Sequence, residues 1–214
     1  MVNKITAILV DDHAVVRAGF RLLLSTGDKI EVVGEAARGE QALQLYQECR
    51  PDIVVMDLSM PGIGGLETIR RLLQRDNQAL ILVFSVHHEQ VYVSRALHAG
   101  AKGYITKNSA PEILTEAIDA IVRGECYVER GLLKNPPEAK NTRDYHAILS
   151  EFSPREFDVF RLLAEGMTAQ KVADQLCLGH KTVANYATQI KKKLQVDTTT
   201  ELAHIAVHLG MMQR

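Results

Sequence analysis

Three aspartates and one lysine stand where short apolar runs stop. Asp11 and Asp12 follow Thr6–Val10, Asp57 follows Ile53–Met56, and Lys107 comes just after Gly103–Ile105. Carboxylates brought close together repel unless a cation sits among them. An all-oxygen site with open positions suits Mg2+, which keeps waters and accepts phosphate oxygens. An ammonium from Lys107 in the same crevice supplies the point charge that a phosphorylated aspartate requires. Ser85 closes another apolar run and Tyr104 lies inside the one before Lys107, so a hydroxyl and an amphipathic ring are placed to respond to such a group. Taken singly, each residue has a plain structural role: Asp12 as cap of a helix beginning near His13, Asp57 as a loop residue. Together with Lys107 they favour one shared site. His87 and His88 are expected to be exposed residues that open the next helix. Gly62-Ile63-Gly64-Gly65 lacks the P-loop lysine and follows a proline, so it is not read as a nucleotide cradle.

The elements that position these residues alternate. Thr6–Val10, Glu31–Gly34, Ile53–Met56, Leu80–Phe84 and Gly103–Ile105 read as strands buried on both faces. Between them Leu66, Ile69, Leu72, Leu73 and Ile113, Ala117, Ile118, Ile121 recur at helical spacing. Five strand–helix repeats predict a doubly wound α/β domain with a five-stranded parallel sheet over residues 1–124. Its ligand crevice would lie at the carboxyl ends of the strands, where strands one and three are neighbours.

From about residue 125 to 147 the periodicity lapses, and Asn135-Pro136-Pro137 removes backbone donors, as a linker would. Residues 148–214 then read as a small all-α domain of four helices. Ser153-Pro154-Arg155-Glu156 is a capping box with proline at the first helical position, Gly166 is placed to end that helix, Thr198 and Glu201 repeat the box, and Gly210 closes the last helix. Thr168–Leu176 and Lys181–Leu194, joined by a turn around Leu178-Gly179-His180, have helix-turn-helix spacing. Val183, Ala187, Ile190 and Leu194 form one buried stripe. The opposite face carries Lys181, Thr182, Asn185, Thr188, Gln189 and Lys192, types able to bond phosphates and base edges. Lys191-Lys192-Lys193 by itself reads as a solvated surface. Leu202, Ile205, Ala206 and Leu209 are expected to complete the core.

With these motifs in hand, the chain resembles the NarL/FixJ family of two-component response regulators along its whole length. The receiver likeness rests on Val10-Asp11-Asp12-His13, Met56-Asp57-Leu58-Ser59-Met60-Pro61-Gly62 and Gly103-Tyr104-Ile105-Thr106-Lys107. It implies that Asp57 is the phosphoacceptor, that Asp11, Asp12, Asp57 and the carbonyl of Ser59 hold Mg2+, and that Lys107, Ser85 and Tyr104 report phosphorylation. Ser59 and His87 occupy positions that tune water access in the family. The likeness to LuxR-type helix-turn-helix domains rests on Ser153–Glu156, Leu163-Ala164-Glu165-Gly166 and Lys181-Thr182-Val183-Ala184-Asn185-Tyr186. It implies base-facing positions at Ala184, Asn185 and Thr188, with Lys181 and Thr182 near the DNA backbone. Gln170-Lys171-Val172 and Leu176-Cys177-Leu178 resemble the GacA branch. Two departures stand out: Asn108 replaces a proline that many receivers carry after a cis bond, and Ala184 replaces a frequent lysine. The family implies a sensor histidine kinase as phosphodonor, homodimers on activation, and paired half-sites on double-stranded DNA.

Composition is compatible with this reading and narrows it little. Of 214 residues 46% are hydrophobic and 24% charged, with net charge −1, as in an ordinary globular chain. Residues 148–214 hold eight Lys+Arg against seven Asp+Glu, so charge alone does not mark a DNA binder. Cys49, Cys126 and Cys177 form neither a disulfide framework nor a zinc pattern, which fits reducing cytoplasm. Ile5–Val10 is too short to span a bilayer and ends in two aspartates, so neither membrane span nor export signal is expected. Two rivals remain: a Mg2+-dependent phosphohydrolase, which would want a second aspartate where Ser59 stands, and a receiver whose tail binds protein. No catalysis beyond the chain's own phosphorylation and its slow reversal is expected.

Overall fold

A computed structural model describes residues 4–133 and 144–212. Asn135-Pro136-Pro137, the core of the expected linker, lies outside the described residues. The chain divides into two compact units, Met1–His88 with Arg95–Leu132, and Glu89–Ser94 with Leu133–Arg214.

Strands and helices alternate through the first part of the chain: β1 (Ile5–Val10), α1 (Ala14–Ser25), β2 (Ile30–Ala36), α2 (Gly39–Cys49), β3 (Ile53–Met56), α3 (Gly65–Arg75), β4 (Ile81–Ser85), α4 (Gln90–His98), β5 (Gly103–Thr106), α5 (Pro111–Val122) and β6 (Tyr127–Val128). All strand pairs are parallel, in the order β2-β1-β3-β4-β5-β6. The winding reverses at β1 and β3, where Val10 is paired with Met56. The next residues, Asp11 and Asp57, are thereby delivered side by side.

Both faces of the sheet are buried, which is why the strands read as apolar runs rather than alternating ones. Ala7, Leu9, Ile53, Val55, Leu82, Phe84 and Ile105 pack with Leu24 of α1 and with Leu114, Ala117, Ile118 and Ile121 of α5. Phe20 meets Phe84 edge to face at 4.4 Å between ring centroids. The intervening residues Ile8, Val54, Met56, Ile81 and Val83 are buried on the other face, as are Ala42, Leu43, Ile69 and Leu72 of α2 and α3.

The sheet has six strands where five were expected. Tyr127–Val128 is too short to carry a periodicity, and it pairs with Gly103 and Tyr104 of β5 just after α5. A Cβ on Gly103 would come within 2.7 Å of the Tyr127 carbonyl oxygen, so glycine is what lets this strand approach.

The second unit carries α6 (Tyr145–Ser150), α7 (Pro154–Ala164), α8 (Ala169–Leu176), α9 (His180–Leu194) and α10 (Thr199–His208); the last four are the expected helices, and α6 straddles the end of the segment read as linker. The six-residue α6 buries only Leu149 and is opened by Asp144, whose Oδ1 accepts from Ala147 N at 3.0 Å. Such a helix gives no apolar period to read. Both capping boxes form: Ser153 with Glu156, and Thr198 with Glu201. Gly166 and Gly210 adopt positive φ after α7 and α10. The core of these helices includes Phe157, Phe160, Leu162, Val172, Leu176, Val183, Ile190 and Leu194, with Leu202, Ile205 and Ala206 of α10 and Leu209, which caps it, buried as well.

Candidate functional site

At the carboxyl edge of the sheet, the ends of β1, β3 and β5 bring an acidic pair to one lysine. Asp57 is held by its own backbone, its N–H donating to Val10 O at 2.8 Å, while Asp11 N donates to Ala36 O at 3.0 Å. Lys107 Nζ lies 2.7 Å from Asp57 Oδ2 and 2.5 Å from Asp11 Oδ2, all three side chains being less than a tenth exposed. Burial works to lower the Lys107 pKa, and the adjoining carboxylates of Asp57 and Asp11 more than offset it, so the pKa rises above the ordinary amine value. The other Asp57 oxygen, Oδ1, accepts from Leu58 N at 2.7 Å.

Asp12 is exposed and turns toward His13, whose Nδ1 is 2.9 Å from Asp12 Oδ1 and 3.1 Å from Asp11 Oδ1. The helix-cap alternative for Asp12 does not hold, since His13 is the residue at the cap of α1. One potential donor atom from each of Asp11, Asp12, His13 and Asp57 falls within a 4.8 Å cluster, an acidic pocket able to take a metal ion. His13 was not anticipated; its place directly after two aspartates is the only signal the sequence offered.

Arg17 was also missed. One turn into α1, its guanidinium donates to the Asp11 carbonyl at 2.5 Å and lies 3.4 Å from Glu35 Oε2, fixing the loop that presents Asp11. Gly65 has a comparable part below Asp57: a Cβ there would strike the Asp57 carbonyl oxygen, so glycine allows α3 to start directly beneath the acidic loop.

Ser85 and Tyr104 are both fully buried. Ser85 O accepts from Lys107 N at 2.8 Å across the β4–β5 ladder, which puts the serine next to the lysine. Tyr104 donates its hydroxyl to His87 O at 2.8 Å, tying the ring to the loop after β4. Ser59 Oγ and His87 Nε2 are 2.8 Å apart. His87 is therefore half-buried rather than an exposed helix opener, a correction that follows from this bond; His88 is exposed as expected. The Lys107–Asn108 link is trans, as are all described peptide bonds.

In the second unit α8 and α9 form the anticipated pair. Cys177 takes the left-handed conformation, φ 53°, and Leu178 N donates to Ala173 O at 2.8 Å, so the turn is closed before α9 begins at His180. Val183, Ile190 and Leu194 are wholly buried, and Ala187 is partly so. Lys181, Thr182, Ala184, Asn185, Thr188, Gln189 and Lys192 are all exposed on the other side. The lysine run is not one patch. Lys191 Nζ donates to Asp197 O at 3.0 Å, and Lys193 Nζ, though its side chain is exposed, donates to Glu156 Oε1 at 2.6 Å; Lys192 is exposed with the residues of the DNA-facing side.

Residues 7–119 match the response regulator receiver domain and residues 150–206 match the bacterial regulatory proteins of the luxR family. The chain is 42% identical to the transcriptional activator protein ExaE of Pseudomonas putida, over 96% of this chain and 97% of that one. It is 35% identical to the response regulator GacA of Pseudomonas aeruginosa, over 97% and 98%, in keeping with the branch its 170–178 segment resembles. A solved two-component response regulator of the LuxR family from Aurantimonas sp. SI85-9A1 is 43% identical, with TM-score 0.59, covering 61% of this chain and 93% of that one. Among the described residues no helix is long and apolar enough to cross a membrane.

Proposed function

We propose that this chain, which belongs to the two-component response regulators joining a receiver domain to a luxR-family DNA-binding domain, accepts a phosphoryl group on Asp57 and then binds double-stranded DNA as a homodimer. The observation that carries the reading is the convergence of Asp11, Asp57 and Lys107, with one ammonium in reach of both carboxylates. The receiver is assigned to residues 1–124, the linker to 125–147 and the DNA-binding domain to 148–214; the two family matches fall inside the outer pair.

Asp11, Asp12, Asp57 and the carbonyl of Ser59 would hold Mg2+. The fit is one of donor chemistry, since carboxylate oxygens from two neighbouring strand ends lie within one coordination shell's reach. When bound, the ion adds positive charge beside the transferring phosphoryl group. The rest is supplied by the chain. Leu58 N engages Oδ1 of Asp57, and Oδ2 faces Lys107. A P–O bond forms to the Asp57 carboxylate as the P–N bond to the phosphohistidine of a sensor histidine kinase breaks, and the electron pair leaves with the imidazole nitrogen. Lys107 neutralises charge on the transferred group. Ser59 and His87, bonded to one another, govern water access and so the slow hydrolysis that ends the signal. The chain turns over no other substrate.

Charge on Asp57 draws Lys107 and Ser85 toward the phosphoryl oxygens, and Tyr104 repositions with the loop whose carbonyl its hydroxyl holds. A population shift toward a DNA-binding dimer follows. On DNA, Asn185, Ala184 and Thr188 face bases while Lys181, Thr182 and Lys192 meet the backbone, each single helix-turn-helix contributing little surface by itself. The chain acts in the cytoplasm, where kinase and DNA meet. Footprinting of the full chain across genomic DNA tests this. Protection of paired half-sites that strengthens with a small phosphodonor is expected; protection indifferent to the phosphodonor contradicts the regulatory reading.

A further inference from the structure

The sixth strand brings a carboxylate to the loop that carries Lys107. Glu129 follows Tyr127–Val128, and its backbone N–H donates to Tyr104 O at 3.0 Å, continuing the ladder on β5 by one bond. The next outward-facing donor of β5 is Thr106 N. It finds no strand carbonyl but the Glu129 side chain, whose Oε2 accepts from it at 2.8 Å. The same oxygen accepts from Ser109 Oγ at 2.6 Å, and Thr106 Oγ1 and Ser109 Oγ are 2.9 Å apart. A backbone bond from Ser109 N to Thr106 O at 3.1 Å closes the turn.

Lys107 is therefore bracketed. The residue before it and the second residue after it are both fastened to one carboxylate oxygen, while its own N–H is fastened to Ser85 O on the opposite side. Charged acceptors make the stronger hydrogen bonds, and one that gathers two donors defines the angle of the turn between them. Asn108 leaves this loop without a ring to fix its backbone, so the fixing falls to side-chain bonds.

We propose that Glu129 is a positioning residue for Lys107, holding the Thr106–Ser109 turn so that the ammonium meets Asp57. The inference rests on the phosphoacceptor reading above, and it assigns a part in that site to a residue in the segment read from sequence as linker. Glu129 touches no reacting atom. It acts by fixing the base of a long, flexible side chain, and misplacement by about 1 Å costs up to about a hundredfold in such reactions.

The test uses the full chain, an acyl phosphate as phosphodonor, and Mg2+, with incorporation followed by intact mass. Glu129→Ala should lower the rate at saturating phosphodonor on the order of tenfold, with little change in the phosphodonor concentration at half-saturation. Glu129→Gln, whose amide oxygen can accept the same two bonds, should recover the rate to within about threefold. In metal-free protein the Thr106 amide should exchange with solvent faster in the Ala variant and near the wild-type rate in the Gln variant. Equal rates in wild-type and Ala chains overturn the positioning role and leave the phosphoacceptor reading intact. Loss of rate in Ala that Gln does not restore also overturns it. An unlabelled wild-type chain overturns the reading itself, and the inference with it. Should Glu129→Ala not fold, Ser109→Ala, which removes one donor from a half-buried turn, carries the test: about a threefold slowing is expected, and no slowing overturns the proposal.

Discussion

Lys107 Nζ stands 2.7 Å from Asp57 Oδ2, although the two residues are fifty positions apart in the chain. Asp11 completes the group from the neighbouring strand. Two buried carboxylates sharing one ammonium form a charge-poised pocket: it is held together by Lys107, and a second cation or a phosphoryl group would redistribute the bonds. Breaking a buried pair by removing one partner costs more than the pair itself contributes, because the remaining charges lose their compensation.

Lys107→Met should therefore destabilise the metal-free chain by about 3–5 kcal/mol. Added Mg2+ should then raise the unfolding temperature more in this variant than in wild type, since the ion replaces the missing positive charge and binds only the folded state. Thermal unfolding with and without Mg2+ checks both parts. An equal Mg2+ response in the two proteins would argue that the ion does not enter this pocket.

On the DNA side, Asn185 and Lys192 share the exposed face of α9 but are assigned different work. Asn185→Ala should cost about 1–3 kcal/mol at a preferred site and relax the sequence preference. Lys192→Ala should weaken binding evenly across sequences and flatten the salt dependence by roughly one phosphate contact. Titrations at several salt concentrations, on preferred and scrambled duplexes, separate the two. Identical behaviour of both variants would mean that α9 presents another face.

Glu156 joins the cap of α7 to α9, accepting from Ser153 N at 2.9 Å and from Lys193 Nζ at 2.6 Å. Burial pushes its pKa up, but Lys193 and Ser153 together pull it below the usual carboxylate value. A depressed folded-state pKa gives stabilisation that is present above the unfolded value near 4.3 and is lost as pH falls through the folded one. Glu156→Gln, which keeps the capping bond but loses the charge facing Lys193, should cost about 1 kcal/mol at pH 7, with the difference from wild type shrinking below about pH 4. Urea unfolding across that range measures it, and a pH-independent gap would assign the effect to shape rather than charge.

Much of this arrangement was legible in the sequence because it is written in repeats and punctuation. Strands buried on both faces gave uninterrupted apolar runs, and residues ending those runs, Asp11, Asp57 and Lys107, could be assigned to one edge of the sheet. Ser153, Glu156, Thr198 and Glu201 announced helix starts through local chemistry that needs no tertiary context. What escaped was short or long-range. The two-residue β6 and six-residue α6 hold too few residues to show a period. The Arg17–Glu35 contact, the bonds of Glu129 and the Ser59–His87 bond span 18 to 28 positions, which no local pattern displays, and the Arg17 bond to the Asp11 carbonyl, six residues away, depends on how the β1–α1 loop turns. The lysine run 191–193 was read as one solvated stretch, yet two of its members turn to bonds within their own unit.

Asp57 is assigned as the residue that takes the phosphoryl group, and intact mass after exposure to an acyl phosphate and Mg2+ reads this out without intermediaries. The wild-type chain should gain one phosphoryl group, Asp11→Ala should gain it more slowly, and Asp57→Ala should gain none. Phosphate incorporated by the Asp57→Ala protein to the wild-type level would contradict the assignment.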